Sequence, residues 1–423
     1  MKVLVLGGGG REHAIIKSLK KNNKIKDIYA APGNGGINRD AQCIPIKAID
    51  ITGVIKFTEE NKIDYVVVAP DDPLAIGMVD ALEERGIRCF GPKKAAARIE
   101  SSKIFSKNLM KKYNIPTACY ETFSDYEKAK SYLESDSVKF PIVIKADGLA
   151  LGKGVIIAEN FEQAKEAIGS MMKEKKFGDS GANIVIEEFL TGPEVTVLSF
   201  TDGNVIVPMI SSMDHKRIFD GNKGLNTGGM GVIAPNPYYN EEIADVCQKT
   251  IFQPTIAAMR EEGCPFKGCL YFGLILTENG PKVIEYNSRF GDPETQAVLP
   301  LLETDLLTIM ESVTDEKLEN IDIQWKKSFS ACIVMASGGY PESYKTGLQL
   351  TGLNDQGNCT NKDVTIYHAG TEYKNEMFYT SGGRVLGITA IAENKEKTLE
   401  IAYKTAKTID FEGVHYRKDI GKY

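Results

Sequence analysis

The first hundred residues alternate short β-rich runs with helical patterns, and this alternation restricts the fold more than any other feature of the chain. The predicted strands are Val3–Leu6, Ile28–Ala30, Tyr65–Val68 and Arg88–Phe90, and the predicted helices are His13–Lys21, Ile51–Glu60 and Pro73–Arg85. Strands that alternate with helices form a parallel sheet covered on both faces, because each connection must cross over the sheet. The sequence therefore predicts an N-terminal doubly wound α/β domain over residues 1–102.

Two further units are predicted, and both mix strands with helices. In residues 103–325 the predicted strands are Pro141–Lys145, Val155–Ala158, Ile184–Glu188, Val195–Phe200, Val205–Ile210, Cys269–Leu276 and Pro281–Tyr286, and helices are predicted over 101–112, from Phe161 and over 240–262. Residues 214–234 are polar and Gly-rich, and a loop of that length is usually functional or disordered. Residues 326–423 indicate a small C-terminal α+β domain with strands at Phe329–Met335 and Arg384–Ile391.

Composition excludes several classes of protein. The apolar content of 42% and charged content of 26% are typical of a soluble globular protein, and the net charge of −6 argues against nucleic-acid binding. No apolar run reaches the ~20 residues of a membrane span, and the N-terminal run is too short for a signal peptide. We therefore expect a cytoplasmic protein that binds neither nucleic acid nor membrane. The lysines within Lys103–Lys112 are predicted to lie on a solvated helix face.

A polar cluster follows the predicted strand at Pro281–Tyr286. The chain reads Glu285-Tyr286-Asn287-Ser288-Arg289. Side chains alternate faces along a strand, so Glu285, Asn287 and Arg289 should point the same way. Two oxygen ligands and a guanidinium on one face suit a Mg²⁺ ion and a phosphate. A polar strand end with a surface ion pair is the alternative interpretation.

Two glycine-rich loops follow the first and second predicted strands. A dinucleotide-binding fingerprint needs a third glycine where Glu12 follows Gly7-Gly8-Gly9-Gly10-Arg11, and an acid at the end of the second strand. The second strand instead continues into Pro32-Gly33-Asn34-Gly35-Gly36, which disfavours NAD. Amides at a helix N-terminus bind anions, so the loops favour a phosphorylated small molecule. The alternative is that these glycines only form tight turns.

A third glycine-rich segment, Lys145–Gly154, places a lysine at the end of a strand and before its glycines. It is not a Walker A motif, because Gly154 stands where Ser or Thr would follow the Gly-Lys pair. A strand-borne lysine beside a glycine-rich flap is closer to the phosphate clamp of a kinase, although a solvated lysine in a hairpin is the alternative. Further on, Glu187–Leu190 could offer backbone groups to an adenine edge, and Glu194 could accept ribose hydroxyls.

Taken together, these segments resemble the ATP-grasp superfamily and, within it, the phosphoribosylamine–glycine ligase family. The resemblance covers essentially the whole chain. The motifs that carry it are Gly7–Ala14, Pro32–Gly36, Lys145–Gly154, Asp214–Arg217, Asn226–Gly231, Arg289–Glu294, His368–Thr371 and Gly382–Val385. It implies central ATP-grasp domains over 103–325, with a lid subdomain at about 116–190. Ala69, Asp71 and Leu225 depart from the residues that the family usually has.

The resemblance also implies roles for individual residues. The residues implied to bind ATP are Lys103, Lys145, Gly152, Lys153, Gly154, Glu187, Glu188, Phe189, Leu190 and Glu194. Those implied to bind the two other substrates are Gly9, Gly10, Arg11, Gly33, Asn34, Gly35, Asp71, Asn226, Thr227, Gly228, Gly229, Arg289 and Asp292. The metal ligands would be Glu285 and Asn287, holding Mg²⁺ or Mn²⁺, and the catalytic side chains would be Lys145, Arg289 and Asp214.

The implied reaction joins glycine to 5-phosphoribosylamine through glycyl phosphate, with ATP converted to ADP and phosphate. Such chemistry needs charge neutralisation, alignment and exclusion of water rather than a side-chain nucleophile. The resemblance implies small-molecule substrates only, and a monomer or weak homodimer. Another ATP-grasp carboxylate–amine ligase and a non-catalytic nucleotide-binding protein remain the competing interpretations.

Overall fold

The N-terminal domain is the predicted doubly wound parallel sheet. A computed structural model describes residues 1–149, 154–174, 176 and 178–422 of the chain. The first elements are β1 (Lys2–Gly7), α1 (Gly10–Leu19), β2 (Asp27–Pro32), β3 (Gln42–Cys43), α2 (Ile51–Asn61), β4 (Tyr65–Val68), α3 (Asp71–Ile76), α4 (Met78–Glu84) and β5 (Cys89–Phe90). The strand order is β3-β2-β1-β4-β5, and every pairing is parallel. The loop after β1 therefore lies at the switch point, where ligands of such sheets bind.

One predicted helix of this domain is two helices. Pro73–Arg85 was expected to be continuous, but the chain breaks between α3 and α4 at Gly77. Gly77 has a φ of 97°, in the left-handed region that ends a helix, and its amide donates to Leu74. Asp71 begins α3 and follows the carboxyl end of β4, the edge at which ligands of such sheets bind.

A small antiparallel sheet follows the first domain. The described part of residues 94–188 contains α5 (Lys94–Ser101), α6 (Lys103–Lys112), β6 (Tyr120–Phe123), α7 (Tyr126–Leu133), β7 (Ile142–Ala146), β8 (Val155–Ala158), α8 (Phe161–Met172) and β9 (Ile184–Glu188). The strand order is β6-β9-β7-β8, and α7 and α8 cover one face with a separate apolar core. A separate core suits the lid role that the resemblance implies, which stays a prediction.

The second half of the chain builds a larger antiparallel sheet. Its elements, in order, are β10 (Glu194–Asp202), β11 (Ile206–Pro208), β12 (Met213–Asp214), β13 (Arg217–Phe219), β14 (Lys223–Asn226), β15 (Gly231–Ala234), α9 (Glu241–Cys247), a π-helical turn (Gln248–Phe252), α10 (Gln253–Glu261), β16 (Lys267–Thr277), β17 (Gly280–Asn287), α11 (Glu294–Val298) and α12 (Leu306–Thr314). The sheet has the order β11-β10-β16-β17. The predicted polar loop at 214–234 is wrong, because strands β12 to β15 occupy most of it.

The C-terminal domain completes its sheet with two of those strands. It adds β18 (Phe329–Ala336), β19 (Val364–His368), β20 (Thr371–Lys374), β21 (Met377–Thr380), β22 (Arg384–Ala392) and α13 (Lys395–Ala406). The order β12-β15-β18-β22-β19 joins two regions that are far apart in sequence. The predicted doubly wound N-terminal sheet and the small C-terminal α+β unit are confirmed, and the region between them mixes strands with helices as expected.

Helix α12 joins the N-terminal sheet to the central sheet. Apolar side chains of β1, α1, β10 and α12 belong to one continuous core. The buried Tyr65 hydroxyl of β4 donates to the Met310 carbonyl of α12 at 2.8 Å, and it lies 2.6 Å from the Thr314 hydroxyl. Among the described helices, none is both long and apolar enough to cross a membrane.

We expect Tyr65→Phe to lower the midpoint of thermal unfolding by about 1–3 °C, because it removes a buried hydrogen bond between β4 and α12 worth about 1 kcal/mol. Differential scanning fluorimetry measures this shift. Tyr29→Phe is the control, because within the described structure the Tyr29 hydroxyl has no hydrogen bond. Equal shifts for the two variants would contradict the role of Tyr65.

Candidate active site

The candidate site is centred on the end of β17. Glu285 pairs with Gly273 and Asn287 with Tyr271, so these two side chains share one face of the sheet. An extra residue, Ile284, forms a β-bulge between the pairs Leu274–Val283 and Gly273–Glu285. A bulge leaves one residue unpaired, and the Ile284 carbonyl here accepts a hydrogen bond from Lys145 Nζ at 3.1 Å.

Positive side chains surround the Glu285 carboxylate. Lys216 Nζ lies 3.2 Å from Glu285 Oε1 and 3.8 Å from Glu194 Oε2. The charge of Lys216 lowers the pKa of Glu285 to about 2, so this carboxylate is ionised at neutral pH. Lys103 Nζ donates to the Gly148 carbonyl at 2.9 Å, at the start of the third glycine-rich segment. The site therefore has one carboxylate facing several cations, which suits phosphate oxygens and a divalent metal.

Lys145 is held by a buried ion pair. Glu187 of β9 lies between two lysines, with Oε1 3.0 Å from Lys145 Nζ and Oε2 3.0 Å from Lys107 Nζ. The prediction of a solvated lysine face over Lys103–Lys112 is wrong for Lys107, which is 2% exposed. A helix pattern does not reveal this, because the carboxylate that compensates the buried charge comes from a strand about 80 residues away.

Arg289 lies beyond the end of β17, so strand alternation does not explain its position. Its NH2 atom is 3.3 Å from Asn287 Oδ1, 3.0 Å from Glu100 Oε1 and 3.9 Å from Asp71 Oδ2. Burial opposes the charge, but Glu100 and Asp71 raise the pKa of Arg289. Glu100 also accepts from the Ser288 amide and hydroxyl, both at 2.8 Å. Two carboxylates thus fix the guanidinium beside the Glu285–Asn287 face.

The first glycine loop is closed by the side chain of Glu12. Glu12 Oε2 accepts from the Gly9 amide at 2.6 Å, and Oε1 lies 2.6 Å from Arg11 Nε. The Gly9 amide is therefore paired within the loop, and an anion at this helix N-terminus would compete with Glu12 for it. The Arg11 amide donates to Asp292 at 3.3 Å, and its guanidinium donates to the Phe290 carbonyl at 3.2 Å.

The second glycine loop is held by Asn34. Its Nδ2 donates to the Gly8 carbonyl at 2.9 Å and to the His368 carbonyl at 2.8 Å, while Oδ1 accepts from the Gly36 and Ile37 amides. The side chain of Asn34 thus connects both glycine loops to the C-terminal domain. Within the described structure, every hydrogen bond of this side chain goes to a backbone group, so Asn34 orders the loop from within.

The loop Asn226–Gly229 closes the opposite side of the site. The Thr227 amide and hydroxyl both donate to the Lys216 carbonyl at 2.8 Å. Arg384 NH1 donates to the Gly228 carbonyl and, at 2.8 Å, to the Asp292 carbonyl. A β-carbon on Gly229 would lie 2.6 Å from Asp214 Oδ1, so only glycine fits against that carboxylate. Burial and the neighbouring Glu294 raise the pKa of Asp214 well above its usual range.

The other described residues that were predicted to bind ATP lie at the ends of strands β8, β9 and β10. Gly152 and Lys153 are outside the described residues, and Gly154 comes just before β8. Glu188 ends β9 and pairs with Lys282 at 3.2 Å, so Phe189 and Leu190 leave the sheet there. Glu194 begins β10 with its carboxylate 57% exposed.

Two glycines that were predicted to bind the other substrates lie in the N-terminal domain. Gly10 begins α1, and the Gly35 amide donates to the Thr371 carbonyl.

Four charged residues of the site were missed at the sequence level. Lys216 and Arg384 lie within motifs that carried the family resemblance, so a signal for them was present. Glu100 and Lys107 lie in helices whose polar spacing resembles that of any exposed helix. Only the long-range contacts with Arg289 and Glu187 bring them into the site.

Comparison with known proteins identifies the family. Sequence models described as the N domain, the ATP-grasp (A) domain and the C domain of phosphoribosylglycinamide synthetase match residues 1–100, 101–295 and 330–423. The chain belongs to the phosphoribosylglycinamide synthetase family. The resemblance drawn from the motifs is thereby confirmed.

Full-length relatives agree with the family models. A phosphoribosylamine–glycine ligase of Caldanaerobacter subterraneus subsp. tengcongensis is 46% identical over 420 residues, 99% of each chain. One from Listeria monocytogenes serotype 4b is 48% identical over 424 residues, with 100% of this chain and 99% of that protein covered.

Solved structures show the same fold. The crystal structure of phosphoribosylamine–glycine ligase from Thermotoga maritima matches with a TM-score of 0.86 and 32% identity, over 99% of this chain and 100% of that one. A biotin carboxylase from Campylobacter jejuni matches with a TM-score of 0.75 at 14% identity, over 98% of this chain and 92% of that one. The second likeness concerns the fold alone.

We expect Arg384→Met to speed amide hydrogen exchange in residues 226–231 by roughly tenfold or more, because charge-assisted hydrogen bonds to three backbone carbonyls are lost. Mass spectrometry of exchanged peptides measures this effect, with residues 155–172 as the internal reference. Arg88→Met is the control variant, because its ion pairs lie on the surface. Unchanged exchange in 226–231 would show that Arg384 does not order the loop.

Proposed function

We propose that the chain uses ATP to join glycine to 5-phosphoribosylamine, which gives glycinamide ribonucleotide, ADP and phosphate for purine synthesis. The observation that carries the proposal is the convergence of Lys145, Lys216 and Arg289 on the strand face that holds Glu285 and Asn287. The family membership supports the choice of substrates.

The nucleotide would lie between the lid and the central sheet. Lys103 and Lys145 would neutralise its phosphates, with the segment Gly152–Gly154 covering them. The backbone of Glu187–Leu190 would face the adenine, and Glu194 would accept the ribose hydroxyls. Two hydrogen bonds support this assignment, because Lys103 donates to the Gly148 carbonyl and Lys145 to the Ile284 carbonyl, and the charges of both lysines act on Glu285.

Glu285 and Asn287 fit a divalent metal. One ionised carboxylate and one amide oxygen are hard oxygen ligands, and the low pKa of Glu285 keeps its charge available. Among the described residues, no group of three or more His, Cys, Asp or Glu forms a protein-only metal site. Glu285 and Asn287 would hold Mg²⁺ or Mn²⁺, which when bound would neutralise negative charge on the phosphates of ATP.

The chain's own residues would align the substrates for two displacement steps. A glycine carboxylate oxygen attacks the γ-phosphorus of ATP and ADP leaves. The amine of phosphoribosylamine then attacks the acyl carbon, loses a proton, and phosphate leaves with the electrons of the C–O bond. Arg289 would hold the oxygens of the transferred phosphoryl group, since its guanidinium is fixed by Glu100 and Asp71.

Phosphoribosylamine and glycine would enter from opposite sides of Arg289. The loops at Gly9–Arg11 and Gly33–Gly35, with Asp71, would hold phosphoribosylamine on the N-terminal side. Asp214, Asp292 and Asn226–Gly229 would line the glycine and phosphoryl pocket. As a finer part of the proposal, we infer a cytoplasmic monomer or weak homodimer that uses only these small-molecule substrates.

We expect ADP release only when ATP, glycine and phosphoribosylamine are all present, because the acyl phosphate is consumed only by the third substrate. A coupled ADP assay with each substrate left out in turn measures this requirement. ADP release driven by bicarbonate or by another amino acid would favour the alternative, another ATP-grasp carboxylate–amine ligase.

We expect Glu285→Gln to lower kcat roughly 100-fold or more, because a metal ligand that stabilises phosphoryl transfer contributes several kcal/mol. It should also weaken Mn²⁺ binding, followed by electron paramagnetic resonance. Glu278→Gln, in the exposed turn of the same hairpin, is the matched control. Wild-type Mn²⁺ affinity in Glu285→Gln would remove the metal assignment.

A further inference from the structure

Lys107 is a fully buried lysine whose role the proposed reaction leaves unexplained. It lies on α6 and is 2% exposed, while Glu187 is 4% and Lys145 is 5% exposed. Its Nζ atom is 3.0 Å from Glu187 Oε2, and the other oxygen of the same carboxylate is 3.0 Å from Lys145 Nζ. One carboxylate is therefore shared by two buried lysines.

The remaining contacts of Lys107 are with neutral groups. Its Nζ donates to the Thr117 hydroxyl at 2.8 Å, and that hydroxyl donates to the Val283 carbonyl at 2.7 Å. The Tyr120 ring centroid lies 5.7 Å from the same Nζ. Lys107 is thus directed at Glu187 and at neutral groups, whereas Lys145 also reaches the Ile284 carbonyl beside Glu285.

This arrangement is not explained by stability. Taking charges out of water costs several kcal/mol per ion, and apolar replacements of buried ion pairs are often as stable or more stable. Two apolar side chains could fill the positions of Lys107 and Glu187. The third buried charge is explained if the net charge of the group matters for ligand binding.

The net charge of the group is set by Lys107. Lys107, Lys145 and Glu187 sum to +1, whereas Lys145 and Glu187 without Lys107 would sum to zero. In a neutral pair, a phosphate must compete with Glu187 for Lys145. Burial lowers the pKa of Lys107 to about 8, while the Glu187 charge opposes this, so the lysine is mostly protonated at neutral pH.

We propose that Lys107 is a positioning residue that neutralises Glu187 and so leaves the charge of Lys145 for the nucleotide phosphates. Glu187 orients Lys145, and Lys107 compensates the negative charge of Glu187. The inference rests on the proposed function, because it takes ATP as the ligand of Lys145.

The test is a charge-restoring set of variants. The affinity for ATP with Mg²⁺ is measured by isothermal titration calorimetry for the wild type, Lys107→Met, Glu187→Gln and the double variant. Lys107→Met should weaken ATP binding roughly 10- to 100-fold, the effect of losing one charge-assisted hydrogen bond. The double variant has a net charge of +1 again and should recover to within a few-fold of the wild type. Lys111→Met, on the exposed part of the same helix, should bind like the wild type.

Steady-state kinetics separate positioning from general damage. Lys107→Met should raise the KM for ATP, while the KM for glycine and the kcat at saturating ATP stay within a few-fold of the wild type. A structural defect would instead lower kcat and would not be repaired by a second substitution at Glu187.

The outcomes distinguish this inference from the proposed function. Failure of the wild type to bind ATP would overturn the proposed function. If the wild type binds, equal affinity of Lys107→Met, or a double variant no better than Lys107→Met, would overturn the inference. Glu187→Gln gives an independent test should Lys107→Met not fold. With Glu187 made neutral, the group keeps a net charge of at least +1 whether or not the buried Lys107 stays protonated, and the Gln oxygen can still accept from Lys145. This variant should therefore bind ATP at least as tightly as the wild type, and a tenfold loss would also overturn the inference.

Discussion

The carboxylate of Asp292 joins the three parts of the molecule, and the geometry of the site depends on it. One oxygen accepts from the Arg11 amide of the N-terminal domain, and the other accepts from Gln296 and lies 3.3 Å from Arg384 of the C-terminal sheet. Asp292 itself follows β17 of the central sheet. Arg11 and Arg384 both keep the pKa of this buried carboxyl below its usual value, against the effect of burial. The loops that would face the substrates are therefore fixed by one ionised group.

Each charge in the site lies beside at least one opposite charge, and this explains how so many ionic side chains can be buried together. Glu285 is matched by Lys216, Arg289 by Glu100 and Asp71, and Glu187 by Lys107 and Lys145. Each pair costs desolvation free energy that better packing would avoid. The benefit is preorganisation, because fixed charges need not reorient when a phosphoryl group moves between two oxygens.

Much of the fold could be predicted from the sequence because its signals are local. Val155–Ala158 and Ile184–Glu188 were predicted with the bounds that the structure has, since each is a short apolar run between polar turns. Helix α5 was missed because Lys93 precedes it without a side-chain cap. Strand β15 was missed because its partner β18 lies about 100 residues away, and β12 was missed because it pairs with β15. For the same reason, the burial of Lys107 and Glu100 could not be predicted from helical spacing.

The shared sheet of the C-terminal domain has a consequence for how such chains can be recombined. Its order β12-β15-β18-β22-β19 takes two strands from residues 213–234 and three from residues 329–392. A cut between the central and C-terminal regions would leave β18 as a bare sheet edge, with unpaired backbone groups open to aggregation. The last hundred residues are therefore not a portable module. In a chimera of two relatives, residues 213–234 and the C-terminal region must come from the same parent.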